Sequence, residues 1–149
     1  MTIKEYIKLI KKEFSFLFRE YDFKITYSEE YRKGYGWFHI GLESKTCRIL
    51  FSREHGGGNV FFGSPDAPFN DDGDQRWTRM LNLLAYLSKK EWNWEFLDRL
   101  SPVERAVAWL SFNAKELEPV CGQILAMFRS QETVAEWKPK YEQFIHNRS

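Results

Sequence analysis

Between Phe23 and Phe62 the large apolar residues recur at every second position, and on both sides of that stretch they recur at every third or fourth. The two periods belong to different secondary structures. A strand sends successive side chains to opposite faces, whereas a helix returns to the same face after about 3.6 residues. A chain with this order of periods folds as one sheet, preceded by a helix and followed by several more. Phe, Tyr and Trp make up 17% of the residues, enough large side chains to fill a substantial core.

The first helix is predicted from the stripe Ile3, Tyr6, Ile7, Ile10, Phe14, Leu17 and Phe18. Thr2 and Glu5 stand at the spacing of a capping box, which satisfies the first backbone N–H groups. Lys4, Lys8, Lys11 and Lys12 lie on the opposite side. A Lys-rich amphipathic helix is suited to a membrane surface, but the sheet that follows needs an apolar cover, and that is the expected use of the stripe.

Four strands are then predicted. Phe23, Ile25 and Tyr27 alternate with polar residues, as do Phe38, Ile40 and Leu42, then Cys47, Ile49 and Phe51. Asn59 to Phe62 makes the fourth. Tyr31-Arg32-Lys33-Gly34, Glu43-Ser44-Lys45 and His55-Gly56-Gly57-Gly58 read as the connections, short enough for an antiparallel meander. After Pro65, Pro68 and the run Asn70-Asp71-Asp72-Gly73-Asp74 the pattern is helical. Trp77, Met80, Leu81, Leu84 and Leu87 lead, and Trp94 to Leu100 suggests a short helix. Ser101-Pro102-Val103-Glu104 is a strong helix start, with an N-cap, proline in the first turn and glutamate at the third position. Asn113 with Glu116 suggests a restart, Pro119 a kink, and Thr133 with Glu136 the last helix. The expected fold is therefore α+β: a single domain over residues 1–149, with an N-terminal helix, a four-stranded antiparallel β-meander, and a C-terminal set of four to five helices.

Lys and Arg number 22 and Asp and Glu 21, for a net charge of +1. Nucleic-acid binding is not expected, because it needs a surplus of cations to displace counterions. Neither a signal peptide nor a membrane span is expected. Met1-Thr2-Ile3-Lys4-Glu5 lacks a basic start followed by an apolar run, and no stretch approaches the roughly 18 uncharged apolar residues of a span. Cys47 and Cys121 sit among apolar neighbours and do not form a Cys-x-x-Cys pair. Buried free thiols and a cytoplasmic location follow as expectations.

No residue set has the types and spacing of a catalytic or metal site, so neither a cofactor nor a metal is expected. His55-Gly56-Gly57-Gly58 matches a pattern that contributes to the oxyanion hole of some esterases, but no Gly-x-Ser-x-Gly elbow accompanies it. Asp71, Asp72 and Asp74 have the charge for a hard cation, yet counting back from Gly73 puts Pro68 where an EF-hand needs its first carboxylate. His39, His55 and His146 have no histidine or cysteine three or four positions away.

The second face of the predicted sheet is more informative. It carries Trp37, His39, Arg48, Leu50 and Phe61, while Ile49 belongs to the inward face. Aromatic and Arg side chains are common binding anchors, so these five residues are the candidate partner site. Burial of the same face beneath the C-terminal helices is the competing reading.

The run Phe14-Ser15-Phe16-Leu17-Phe18-Arg19-Glu20-Tyr21-Asp22-Phe23, the Trp77-led helix and the Leu117 to Phe128 helix closed by Trp137 resemble a class of small bacterial proteins. That class includes immunity proteins encoded beside polymorphic toxins. The resemblance implies a non-enzymatic, partner-binding protein and carries no catalytic residues. Two alternatives stand beside it. One is a small-molecule binder or enzyme with a pocket between sheet and helices, using His39, Arg48, Trp37 and Asp71. The other is a structural module that associates through exposed strand edges.

Overall fold

A computed structural model describes residues 1–54 and 57–148. Thr2 accepts the Glu5 amide N–H at 3.2 Å and starts helix α1 (Ile3–Glu13). The chain bends at Phe14 and resumes as α2 (Ser15–Glu20), so the predicted stripe spans two short helices. Asp22 takes a left-handed conformation at φ 57° and turns the chain into the sheet.

Five strands follow: β1 (Lys24–Arg32), β2 (Trp37–Glu43), β3 (Arg48–Arg53), β4 (Asn59–Gly63) and β5 (Trp77–Arg79). They lie in sequence order, each antiparallel to the next. The sheet is thus a meander of five strands, not four. β1 also runs on through Tyr31 and Arg32, where the sequence predicts a loop. The fifth strand replaces the first turn of a predicted helix. Trp77 and Thr78 pair with Gly63 and Phe62, and the helix begins only at Met80. Trp and Thr fit a pleated surface well, and a free edge at β4 supplies the hydrogen bonds, so tertiary pairing overrides the helical spacing. His55 and Gly56, half of the predicted glycine turn, lie outside the described residues.

The helical half comprises α3 (Met80–Ser88), α4 (Pro102–Leu117), α5 (Cys121–Met127) and α6 (Gln131–Arg148). Trp94 to Leu100 forms only a 3-10 turn at Glu95–Leu97. The capping box at Ser101 and Glu104 is present, with the Glu104 N–H donating to Ser101 Oγ at 3.3 Å and the Ser101 N–H to Glu104 Oε1 at 3.2 Å. Asn113 does not restart a helix. Its side-chain amide donates to the Trp109 carbonyl at 2.7 Å, and α4 runs straight through it. Pro119 sits in a 3-10 turn between α4 and α5, where it need not donate to a helix ladder. Ser130 Oγ accepts the Thr133 N–H at 3.1 Å near the start of α6, and Pro139 lies inside that helix without ending it.

All the helices pack on one face of the sheet. Phe38, Ile40, Leu42, Ile49, Phe51, Val60 and Phe62 point that way into a core shared with Tyr6, Ile10, Leu84, Leu110 and Phe128. Phe14 meets Phe51 edge-on at 4.9 Å between centroids, the geometry aromatic pairs prefer. The apolar side of α1 is therefore used up in this core. Among the described residues no helix is long and apolar enough to cross a membrane.

Candidate functional site

The opposite face is covered, but not by the C-terminal helices. The β4–β5 connection, residues 64–76, folds back across it. Leu50, Phe61, Ala67, Phe69 and Trp77 form a second, smaller core there, with Tyr27 packed at its edge. Two glycines make room for it: a methyl group at Gly41 would collide with Phe69, and one at Gly63 with Trp77. The Trp77 indole N–H donates to the Pro68 carbonyl at 2.8 Å, which holds the connection down.

This cover separates the five candidate partner residues. Leu50 and Phe61 are buried beneath it and present no surface to a partner. Arg48 is half-buried, with Nη1 donating to the Ala67 carbonyl at 2.7 Å, Nη2 at 2.6 Å from Glu43 and the guanidinium 4.3 Å above the Phe69 ring. It fastens the connection to the sheet. Trp37 is half-buried beside Tyr31 and Tyr35, each 5.8 Å away between centroids, with Arg32 4.9 Å over its ring.

His39 is only 4% exposed and stacks on Tyr31 at 4.1 Å between centroids. Ser52 lies directly opposite on β3, and Asp72 arrives from the connection. These are the residue types of a nucleophilic triad, but the protons are in the wrong places. Ser52 Oγ donates to Asp72 Oδ2 at 2.6 Å, and His39 Nε2 stands 3.5 Å from the same carboxylate without a hydrogen bond. A triad needs the histidine to accept from the serine, and room beside both for a substrate. Ser52 is as buried as His39. The cluster is a latch that ties Asp72 to the sheet.

The three aspartates of the connection do not converge either. Asp71 accepts the Gly73 N–H at 3.0 Å, Asp72 takes the Ser52 hydroxyl, and Asp74 binds the Arg76 guanidinium at 2.9 and 3.0 Å. Among the described residues no group of three or more His, Cys, Asp or Glu is placed to hold a metal ion. A cavity between sheet and helices does exist, but neither His39 nor Arg48 lines it.

An exposed aromatic surface lies in the helical half. Trp92, Trp94 and Phe96 precede α4 and fold against Trp109 and Phe112 on it. Trp94 stands 4.8 Å from Trp109 and 5.3 Å from Phe112 between centroids. Trp94 remains 36% exposed and Phe96 47%. A cleft of about 260 Å³, bordered by Trp92, Trp94 and Asn82, adjoins them. The indole N–H groups of Trp92 and Trp109 are buried without an acceptor among the described residues. Glu91 and Arg148 also border this cleft. The spacing of Trp94, Phe96, Leu97 and Leu100 predicts a short helix, and the alternation of Trp with polar Asn93 and Glu95 is the sign against an α-helix here.

The strand edges are less inviting. β1, at one edge of the sheet, exposes Lys24, Glu29 and Arg32, charges that discourage pairing with another strand, and β5, at the other edge, is three residues long. No family model, no curated protein and no solved structure matches the chain.

Proposed function

We propose that this is a non-enzymatic binding protein that engages another protein through the surface centred on Trp94 and Phe96. The observation that carries the reading is the exposure of these two rings on top of a five-ring aromatic cluster. Trp is enriched among residues that dominate binding energy, and such residues work best beside a cleft that a partner side chain can fill. An exposed apolar group of this size is unfavourable in water and is relieved when covered. An immunity role, in which the protein caps and silences a toxin, is the specific form of this reading that the sequence resemblance supports.

The test is capture of partners by the tagged protein in its source organism, beside the double substitution W94A/F96A. A partner that binds wild type stoichiometrically and is lost with the double variant supports the reading. A partner retained by a folded double variant removes the aromatic surface from the account.

A further inference from the structure

We propose that the cavity between the sheet and α6 binds a small organic anion, a phosphate or carboxylate carried on an apolar body. The cavity has a volume of about 510 Å³, within the range of small-molecule sites. It opens where the β2–β3 turn, the start of the β4–β5 connection, β5 and the α5–α6 junction meet.

Its charge is one-sided. Lys45, Arg76, Arg129 and Lys138 line it against a single carboxylate, Asp66. Asp66 and Arg76 neutralise each other, with Nη1 3.4 Å from Oδ2, and Arg76 is further engaged by Asp74. Lys45, Arg129 and Lys138 have no carboxylate within ion-pair distance among the described residues. Lys138 donates only to the Gln75 carbonyl, at 2.8 Å, and Arg129 only to the Thr133 hydroxyl, at 3.3 Å. Asp74 acts on Lys138 as well as on Arg76, so the uncompensated charge of the cavity rests on Lys45 and Arg129, and an anion is its complementary occupant.

Thr78 also lines the cavity, where its hydroxyl can donate to a ligand oxygen. Gln131, the first residue of α6, also lines the cavity. Backbone N–H groups in a first helical turn have no intrahelical acceptor and carry the positive end of the helix dipole, which favours an anion. Glu132, in the same turn, is not among the cavity walls. Phe128 and Val134 provide an apolar wall, which is the reason for an apolar body on the ligand.

The experiment is a titration of the ¹⁵N-labelled protein with phenyl phosphate, benzoate and inorganic phosphate, followed by amide chemical shifts. Saturable shifts at Thr78, Ser130 and Gln131 with phenyl phosphate or benzoate are expected, and the stronger of the two identifies the anionic group. The double variant K45A/R129A should weaken that binding about tenfold or more, in line with the loss of charge-assisted hydrogen bonds. Thr78→Val keeps the side-chain shape and should weaken it a few-fold while the melting temperature holds. Absence of saturation at about 10 mM, an affinity too weak for a built site, overturns the proposal. Equal binding by wild type and K45A/R129A also overturns it. Inorganic phosphate binding as tightly as phenyl phosphate overturns the role given to Phe128 and Val134.

Discussion

The ring of Phe69 rests on the bare backbone of Gly41, so close that a methyl group there would stand 2.5 Å from Phe69 Cδ1. This contact decides how the second face of the sheet is closed. Gly41→Ala should force the ring and the connection that carries it away from β2, and overpacking of this kind costs about 1–3 kcal/mol. Urea melts should show that loss, and limited proteolysis should cut faster within residues 64–76. A variant as stable and protease-resistant as wild type would mean that the connection is not seated on Gly41.

Ile49 and Arg48 are neighbours on β3 that face opposite cores. Ile49 is fully buried, and Ile49→Ala should cost about 2–5 kcal/mol through lost burial and a residual cavity. Arg48 points away from the helices, as the alternation predicts, but it is not idle. Arg48→Ala removes the bond to the Ala67 carbonyl and the contact with Phe69, and should cost about 1–2 kcal/mol. Arg48→Lys should recover only part of this, because an ammonium lacks the planar fork that serves Ala67 and Glu43 together. Urea melts of the three variants give the comparison, and an Arg48→Ala change within about 0.5 kcal/mol of wild type would show Arg48 to be an ordinary surface residue.

Both thiols are buried, and burial pushes each from the usual 9.0 up to about 12. Burial likewise raises the Tyr6 hydroxyl above its ordinary value, with Arg53 acting in the opposite direction. These groups are neutral in the folded protein at neutral pH, and labelling of the native thiols by a disulfide reagent should be slow. The folded values exceed the unfolded ones, so the folded state keeps its protons where the unfolded chain has lost them. Stability should therefore be insensitive to these groups below pH 9.0 and should fall as pH rises from there towards 12. A flat alkaline limb in the melting temperature, or fast labelling at pH 8 in about the time of a free thiol, would contradict the burial of Cys47.

Asp71, Asp72 and Asp74 each spend their oxygens on a different partner. Chelator treatment and added calcium should both leave the melting temperature unchanged. Asp72→Ala should instead act through the latch, releasing the Ser52 hydroxyl and destabilising by about 1–3 kcal/mol, as expected when a buried donor loses its acceptor. A calcium-dependent rise of several degrees would assign the three carboxylates to a cation.

The sequence by itself determined the succession of helix, antiparallel meander and helices, and the inward face of the sheet. Phe38, Ile40, Leu42, Ile49 and Phe51 alternate strictly, and a pleated strand has only one way to bury such a set. Thr2 and the Ser101 capping box were equally legible, because a cap is a local hydrogen bond between residues three apart. What covers the other face was decided only in three dimensions. The β4–β5 connection reads as an acidic, proline-containing loop, and its apolar residues Ala67 and Phe69 have no period. They become a core only where Gly41 and Gly63, distant in sequence, leave space on the sheet. The fifth strand has the same origin, since Trp77 pairs because β4 offers an open edge, and nothing in its own neighbourhood announces that. The aromatic surface at Trp94 and the cavity at Thr78 also depend on contacts between segments far apart in the chain. A periodicity records which residues share a face, but which segment meets that face is set by long-range packing and by the space that small residues leave.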